Sequence, residues 1–462
     1  MAKRRQRSKH IAVVGAGWAG CAAALELTRN AHQVTVFEAA RIPGGRARAV
    51  DIEGNMLDNG QHILLGAYTE TLRLMKMVGV DLRQALLRLP LQMRYPESGK
   101  GIDFIAARLP APLHLLVALW RSSGLKRVDK LALARFSSAA RWMDWRLNND
   151  CSVAELLQRF DQTEPLIRLM WKPLCVAALN TPIERASAQV FLAVLRDSFG
   201  AGRAASDMLL PRTNLSALLP QPALAFVAAH GGTVRLGTAV TAIARNGAQW
   251  HMHIGADAGA SGDPVGFDAV IVATAPSAAA KLLQDVTGVE HIAALGYEPI
   301  TTCYVQYAPD IRLAQPFFAL EEDAAAGNFG QFVFDRGQLD ARQAGLLAVV
   351  ISASAEAIAH GHPALEAAVA RQLASALQLP ALSAPLWSRV ISEKRATFSC
   401  TAALARPANQ TAIAGLMLAG DYTASEYPAT IEGAVRSGLA AARLIDNDSA
   451  AEDAAPAQES DK

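Results

Sequence analysis

Ile11-Ala-Val-Val-Gly15-Ala16-Gly17-Trp18-Ala19-Gly20 joins an apolar run to the start of a small-residue segment, and Glu38 stands eighteen residues further on. The run Ile11 to Val14 predicts a buried parallel strand, and the segment Ala19 to Asn30 predicts a helix. Three glycines sit at the junction. Gly15 permits a tight turn, Gly17 lets backbone approach a pyrophosphate, and Gly20 lets helix and strand pack closely. Unpaired N–H groups and the partial positive charge of the helix N-terminus then face the phosphates. A second strand, Gln33 to Phe37, delivers the Glu38 carboxylate to ribose hydroxyls. Strand, turn, helix, strand and acid in that order predict a bound dinucleotide.

Gly44-Gly45-Arg46 follows the acid. Two glycines allow backbone amides to face an anion, and an arginine adds a fixed fork of donors. The series resembles flavoproteins of the amine oxidase and phytoene desaturase superfamily, in which such a turn wraps the pyrophosphate of FAD. That resemblance implies FAD contacts from Gly15, Ala16, Gly17, Trp18, Ala19, Gly20, Glu38, Ala39, Gly44, Gly45 and Arg46, and from Val240 and Ala273 further along. Near the C-terminus, Leu416-Met-Leu-Ala-Gly420-Asp421 predicts a strand ending in an acid, and Thr430 to about Ile445 a helix. By the same resemblance this is the flavin end of the site, with Gly420, Asp421, Thr430, Ile431 and Ala434 as contacts. The helix dipole there suits negative charge growing on a reduced flavin ring. Gly433, Ser437 and Gly438 leave one helical face bare enough to lie against the cofactor.

The 462 residues suffice for a large core in two interwoven domains. Hydrophobic residues make up 51% and charged residues 19%, with a net charge of +2, so the overall balance offers nucleic acid no footing. Five scattered cysteines (21, 151, 175, 303 and 400) contain no CxxC pair, which argues against a metal site or a disulfide framework and for a reducing cytoplasm. The basic start (Lys3, Arg4, Arg5, Arg7, Lys9) reads as a solvated arm able to touch anionic lipid, since the apolar stretch behind it is already spent on the first strand and helix. No segment reaches the roughly twenty apolar residues of a membrane span. The nearest is Leu109 to Trp120, followed by Arg121, Lys126 and Arg127, a pattern shared by interfacial helices and by ordinary buried ones.

The predicted fold class is α/β: a Rossmann-like FAD-binding domain of amine oxidase type, interleaved with a mixed-sheet and helical-cap substrate domain. The FAD-binding domain takes residues 1–80, 225–290 and 396–448, and the substrate domain takes 81–224 and 291–395. Residues 449–462, rich in Ala, Asp, Glu and Ser, read as a disordered tail. The region from about Asp81 to Leu219, with Trp142, Trp145 and Trp171, reads as a helical cap with few strands. Two short strands over 231–243 return to the nucleotide domain, joined by strands at Trp250 to Ile254 and 268–274. Ile300 to Tyr307, Gly330 to Phe334 and Leu346 to Ala353 read as a substrate-side sheet. No second GxGxxG follows Val234 or Val270, so electrons come from an external reductant, a redox partner or the substrate itself.

Leu57-Asp58-Asn59-Gly60-Gln61-His62 lies between the cofactor segments and contains a turn at Asp-Asn-Gly. Together with Trp171-Lys-Pro-Leu-Cys-Val-Ala-Ala-Leu-Asn180, Leu210-Pro211-Arg212 and Gly420 to Ala434, it resembles the hydroxysqualene dehydroxylases of hopanoid biosynthesis, also described as squalene-associated FAD-dependent desaturases. The resemblance runs from Ile11 to about Ile445. It implies removal of an allylic hydroxyl from hydroxysqualene to give squalene at the expense of reduced, noncovalently bound FAD, in the cytoplasm, with or without a peripheral seat on the inner face of the membrane. Such chemistry needs an acid for the departing hydroxyl, a dry apolar channel and alignment of the reacting carbon. The candidate acids are His62, then Tyr427 and Glu426, with Gly60, Gln61 and His62 also beside the flavin. Glu432 reads as a helix-start carboxylate.

Three other readings compete: a carotenoid or phytoene-type desaturase, an amine oxidase, and a non-enzymatic prenyl-lipid carrier. An amine cage would want a second aromatic ring where Thr430 stands. Cys400 falls near the position at which some relatives tether FAD, but its flanking residues differ. The full phosphate-binding set, Gly15, Gly17, Gly20, Glu38 and Arg46, argues against a carrier.

Overall fold

The computed structural model describes residues 8–52, 54–96, 101–255 and 265–454. Five short apolar strands form a parallel sheet in the order Thr233–Arg235, Gln33–Phe37, His10–Val14, Ala269–Val272, Leu416–Leu418. Ile11 pairs with Val34 on one side and Ala269 on the other, and all three are buried on both faces. Continuous runs of Val, Ile and Ala are what a two-sided burial requires. The chain leaves the central strand in one direction and returns on its other side at Ala269. The crevice where the order reverses, beyond the carboxyl ends of the strands, is therefore where a ligand fits.

The helix Trp18–Arg29 packs on this sheet with nearly every residue buried, flanked by the helices Pro220–Ala229 and Ile431–Ala454. A second, antiparallel sheet runs in the order Phe317–Ala319, Phe332–Asp335, Leu346–Ser352, Tyr297–Gln306, Trp387–Phe398. The remaining mass is mainly helical, with Leu113–Arg121, Arg127–Trp142, Val153–Arg159, Lys172–Leu179 and Ala188–Leu195 around a knot of rings. Phe136 meets Trp171 at 4.9 Å between centroids, and Trp171 meets Phe191 at 6.1 Å, both edge-on. Edge-on pairs satisfy the ring quadrupoles as well as filling space.

Several sequence expectations need correction. The interval read as a helical cap with few strands carries four, Leu86–Leu89, Gln92–Arg94, Asp103–Ile105 and Met208–Pro211, too short for alternation to be read. Of the two strands over 231–243, Thr233–Arg235 joins the parallel sheet, while Val240–Asn246 pairs with Gln249–Ile254 as a separate hairpin. The long strand Trp387–Phe398 has mixed polarity and was not foreseen. The apolar segment at 109–120 is helical only from Leu113, after two prolines. Residues 449–454, assigned to an unstructured tail, continue the final helix, since alanine-rich sequence carries a helix past its last packed turn. Residues 455–462 and the basic residues Lys3 to Arg7 lie outside the described residues.

Candidate functional site

The first glycine turn sits at the switch point of the parallel sheet. Gly15 has φ +107°, which favours glycine, and a β-carbon there would stand 2.7 Å from the Ala273 carbonyl oxygen. Gly20 cannot carry a β-carbon without overlapping the Gly15 carbonyl oxygen, so it is a packing glycine. Gly17 differs. A β-carbon there would meet nothing nearer than the Gly45 Cα at 3.9 Å. Gly44 donates its N–H to the Ala16 carbonyl at 2.9 Å, and Gly44 and Gly45 both have positive φ. Two glycine turns thus meet backbone to backbone, with no side chain standing over Gly17.

The helix behind that junction starts at Trp18, with no side-chain cap and no acid in its first turn. A helix start left uncapped beside bare backbone fits an anionic phosphate group. Trp18 donates its indole N–H to the Ala47 carbonyl at 2.9 Å and so holds the second turn in place. At the next strand end, Glu38 accepts from the Ala16 N–H at 2.6 Å and the Ala40 N–H at 2.8 Å. Ala39 lies between them in sequence. The backbone N–H of Thr238, two residues before Val240, donates to the Glu38 carbonyl at 2.8 Å.

Chemistry from the far end of the chain closes on this turn. Arg46 donates to Asp421 at 2.6 Å and to the Ala396 carbonyl at 2.7 Å, joining the two halves. Two of its five N–H donors are so engaged, and Arg46 therefore ties the two halves of the site together. Ser437 Oγ accepts from the Gly420 N–H at 2.9 Å and lies 2.7 Å from the Thr423 hydroxyl, bracing the loop that carries Asp421. A β-carbon on Gly438 would overlap the Ala19 carbonyl oxygen of the first helix. Ser437 and Gly438 therefore serve packing within the protein, a correction to their reading as cofactor clearance. Thr430 caps the final helix through the Gly433 N–H at 3.1 Å, just before Ile431 and Ala434. Buried Glu432 accepts from Thr71 N–H and hydroxyl and from Glu70 N–H, capping the helix Thr69–Met77, and also pairs with Arg436.

The Asp58–His62 block is knitted into the protein. Asp58 accepts from the Leu215 N–H at 2.8 Å, and burial pushes its carboxyl up to about 6 against that bond and the charge of Arg336. Gln61 accepts from Arg336 at 2.8 Å, and its N–H donates weakly to Thr302 at 3.4 Å. Gly60 has space around it, its nearest neighbours being His62 and Thr302. His62 Nδ1 lies 2.8 Å from the Gly60 carbonyl, which can only accept. The ring therefore carries its proton on Nδ1 and offers Nε2 as an acceptor. Burial, only partly offset by that bond and joined by the positive charge of Arg46, lowers the pKa of His62. Burial and that charge both favour the neutral ring over the imidazolium.

Tyr427 donates its hydroxyl to Asp197 at 2.8 Å, while Arg436 lies over its ring at 5.0 Å. Burial and the Asp197 bond push the phenol up to about 12, so it keeps its proton. Glu426 is an exposed side chain paired with Arg196 at 3.1 Å, a poor place for an acid that must work away from water. Arg196 also holds Asp197, in a wide helical turn at Arg196–Gly200. Asp197, Thr302 and Arg336 escaped the sequence reading because they come from the helical cap, a sheet strand and the short helical turn Arg336–Gln338, with no spacing that links them to the glycine turns.

Cys400 is buried, and burial pushes its thiol up to about 12. Asn180, in left-handed conformation at a helix end, donates to Thr397 at 2.9 Å and accepts from the Ala353 N–H at 2.7 Å. It thereby fastens the cap helix Lys172–Leu179 to the antiparallel sheet.

The family described as flavin containing amine oxidoreductase matches residues 18–446. The hydroxysqualene dehydroxylase of Rhodopseudomonas palustris is 31% identical over 455 residues, covering 95% of this chain and 98% of that one. A probable zeta-carotene desaturase of Synechococcus elongatus is 28% identical over only 240 residues, 49% of each chain. A crystal structure of an oxidoreductase from Methanosarcina mazei superposes with a TM-score of 0.71 at 15% identity, covering 93% of this chain and 99% of that one, a likeness of fold.

Proposed function

Because the chain belongs to the flavin-containing amine oxidoreductase family, we propose that it is a hydroxysqualene dehydroxylase, removing an allylic hydroxyl from hydroxysqualene to give squalene. The observation that carries this reading is the reach of the similarity. The dehydroxylase relative matches from end to end, cap included, whereas the carotene desaturase matches half.

FAD fits the residues present: Gly17 and the Gly44–Gly45 turn leave backbone room for the pyrophosphate, and Glu38 suits the ribose. Gly420, Asp421 and the start of the final helix at Thr430 serve the flavin end. Reduced FAD, when bound, supplies the hydride that replaces the hydroxyl. Burial of the Cys400 thiol, which favours its protonated form, speaks against a tether at that residue.

The protein's own part is to bind, dry and protonate. The proton for the departing hydroxyl is assigned to Tyr427, whose O–H is donated to Asp197 at rest and turns to the substrate oxygen when the carbon–oxygen bond breaks. His62, neutral, offers Nε2 to a hydroxyl hydrogen and so orients the substrate oxygen. A single dinucleotide fingerprint leaves reduction to a diffusing reductant or a redox partner. The enzyme works in the cytoplasm at the face of a membrane, where its C30 substrate resides. No helix among the described residues is long and apolar enough to cross one.

Under anaerobic conditions, enzyme with photoreduced FAD is expected to convert hydroxysqualene to squalene with stoichiometric flavin oxidation. Absence of squalene, with desaturation of phytoene instead, overturns the reading. Tyr427→Phe is expected to lower turnover about 100-fold with flavin content intact, the usual weight of a positioned acid.

A further inference from the structure

Two neighbouring cap helices expose what most helices bury. On Leu113–Arg121 the outward residues are Leu113, Leu116 and Trp120, with Trp120 78% exposed. On Arg127–Trp142 they are Val128, Leu131 and Trp142, the last 89% exposed. The spacings place each set on one face of its helix, opposite the buried His114 and Ala118 of the first and the buried Ala132, Leu133, Phe136 and Ala140 of the second. Lys130 of the second helix donates to the carbonyls of Trp120 and Ser122 at 2.8 and 2.7 Å, tying the two together at the Trp120 end.

The charge of this region is also unlike the rest. Between Ala106 and Arg146 stand Arg108, Arg121, Lys126, Arg127, Lys130, Arg135, Arg141 and Arg146 against Asp129 and Asp144. Asp129 is buried, its carboxylate accepting from the Lys126 N–H and the Thr163 hydroxyl, so only one acid of the stretch faces out. Eight of the chain's 44 basic residues and two of its 42 acids fall here, which leaves the remainder net negative. Leu115, Phe136 and Arg141 of the two helices line a small cleft of about 30 Å³ that reaches Trp171, Leu195 and Phe199. Leu195 and Phe199 flank Arg196 and Asp197, which reach Glu426 and Tyr427.

We infer that the helix pair Leu113–Arg121 and Arg127–Trp142 is the surface by which the protein docks on an anionic lipid bilayer. Apolar residues on one face of each helix, tryptophans at the helix ends and a basic surround match an interfacial helix pair. Basic charge complements lipid phosphate, contributing most at low salt. The cleft lies between that surface and the segment that carries Asp197, the partner of Tyr427. This deepens the proposed reading by naming the partner from which an apolar substrate is drawn, and rests on that reading for the identity of the substrate.

The test is flotation of the full-length, flavin-loaded protein with vesicles of phosphatidylcholine alone or mixed with phosphatidylglycerol, containing no substrate. Wild type is expected to float with the mixed vesicles and to release as salt rises. The double variant Trp120→Ala/Trp142→Ala is expected to bind them at least about tenfold more weakly. The double variant Arg121→Glu/Arg127→Glu is expected to lose the preference for phosphatidylglycerol. Both should keep their flavin and their turnover of detergent-dispersed hydroxysqualene. Failure of wild type to float, or equal flotation by the tryptophan variant, overturns the inference. So does a dimer in free solution that Trp120→Ala dissociates, because the face would then belong to a second copy. Since no substrate enters the flotation, loss of the dehydroxylase reading leaves its outcome legible.

Discussion

The parallel-sheet half and the helical cap reach a dry interior by opposite means. Around the first helix, backbone packs on backbone: Gly20 lies against the Gly15 carbonyl, and Gly438 against the Ala19 carbonyl. In the cap, bulk packs on bulk, with Phe136, Trp171 and Phe191 in edge contact. The first design tolerates no added atom, and the second tolerates no removed one. On the proposed reading the first half holds the flavin and the second encloses the hydrocarbon.

The sharpest way to break this contrast is to add one carbon at a time. Gly20→Ala and Gly438→Ala force backbone apart and are expected to cost about 4 kcal/mol or more, read as lost soluble protein or a collapsed melting temperature. Gly17→Ala meets only open space and the Gly45 Cα. It should melt within about 1 kcal/mol of wild type in the flavin-free state, yet fail to retain FAD. Stoichiometric flavin in purified Gly17→Ala would remove the ligand from that turn.

In the cap the complementary experiment removes atoms. Phe191 is fully buried away from the glycine turns, and Phe191→Ala is expected to lose about 3–4 kcal/mol in chemical denaturation through its cavity. Flavin stoichiometry at low temperature should stay at one per chain. Flavin lost in step with stability would mean that the two halves do not divide the work as described.

Between these extremes lies the tie across the site. Asp421→Asn leaves the mostly buried Arg46 with a neutral partner, and Glu38→Gln replaces the acceptor at the ribose end with an amide. Each is expected to weaken FAD binding by about 2 kcal/mol, roughly thirtyfold, in flavin titration of the stripped protein. Unchanged affinity in both would show that the two glycine-bearing segments meet for structural reasons alone.

How far the sequence was legible follows the same divide. A backbone-built site leaves a local signature, because the residues that must be small are close together; Gly15, Gly17, Gly20, Glu38, Gly44 and Gly45 could be placed within one unit of strand, helix and strand. Asp421 could be located by a second such signature, but its bond to Arg46 could not, since 375 positions separate them. The cap had no comparable marker. Its helices were evident from composition, yet the Tyr427–Asp197 bond and the ring cluster join segments whose order in the chain carries no spacing rule. Trp142 and Trp171 were equal as letters, and one is 89% exposed while the other is buried.

The smallest predicted effect tests the seam between the halves. Asp58 sits at the end of the strand Asn55–Asp58, accepts from Leu215 and also gives its carbonyl to the Tyr304 hydroxyl. Its folded-state carboxyl titrates near 6, against an ordinary 3.8, chiefly because burial penalises the charge. Between those two values the folded chain binds more protons at this site than the unfolded chain, so its contribution to stability falls as pH rises through the interval. Above about pH 6 the full penalty is present; below about pH 4 it is absent. Asp58→Asn keeps an acceptor for Leu215 and removes the charge. It should therefore be more stable than wild type by about 1 kcal/mol at neutral pH, the burial of the amide taking back most of the roughly 3 kcal/mol that the shift corresponds to, with the advantage vanishing toward pH 4 in denaturation series. A variant that is less stable at neutral pH would mean that the charge of Asp58 is needed, and that the attraction of Arg336 outweighs burial at this seam.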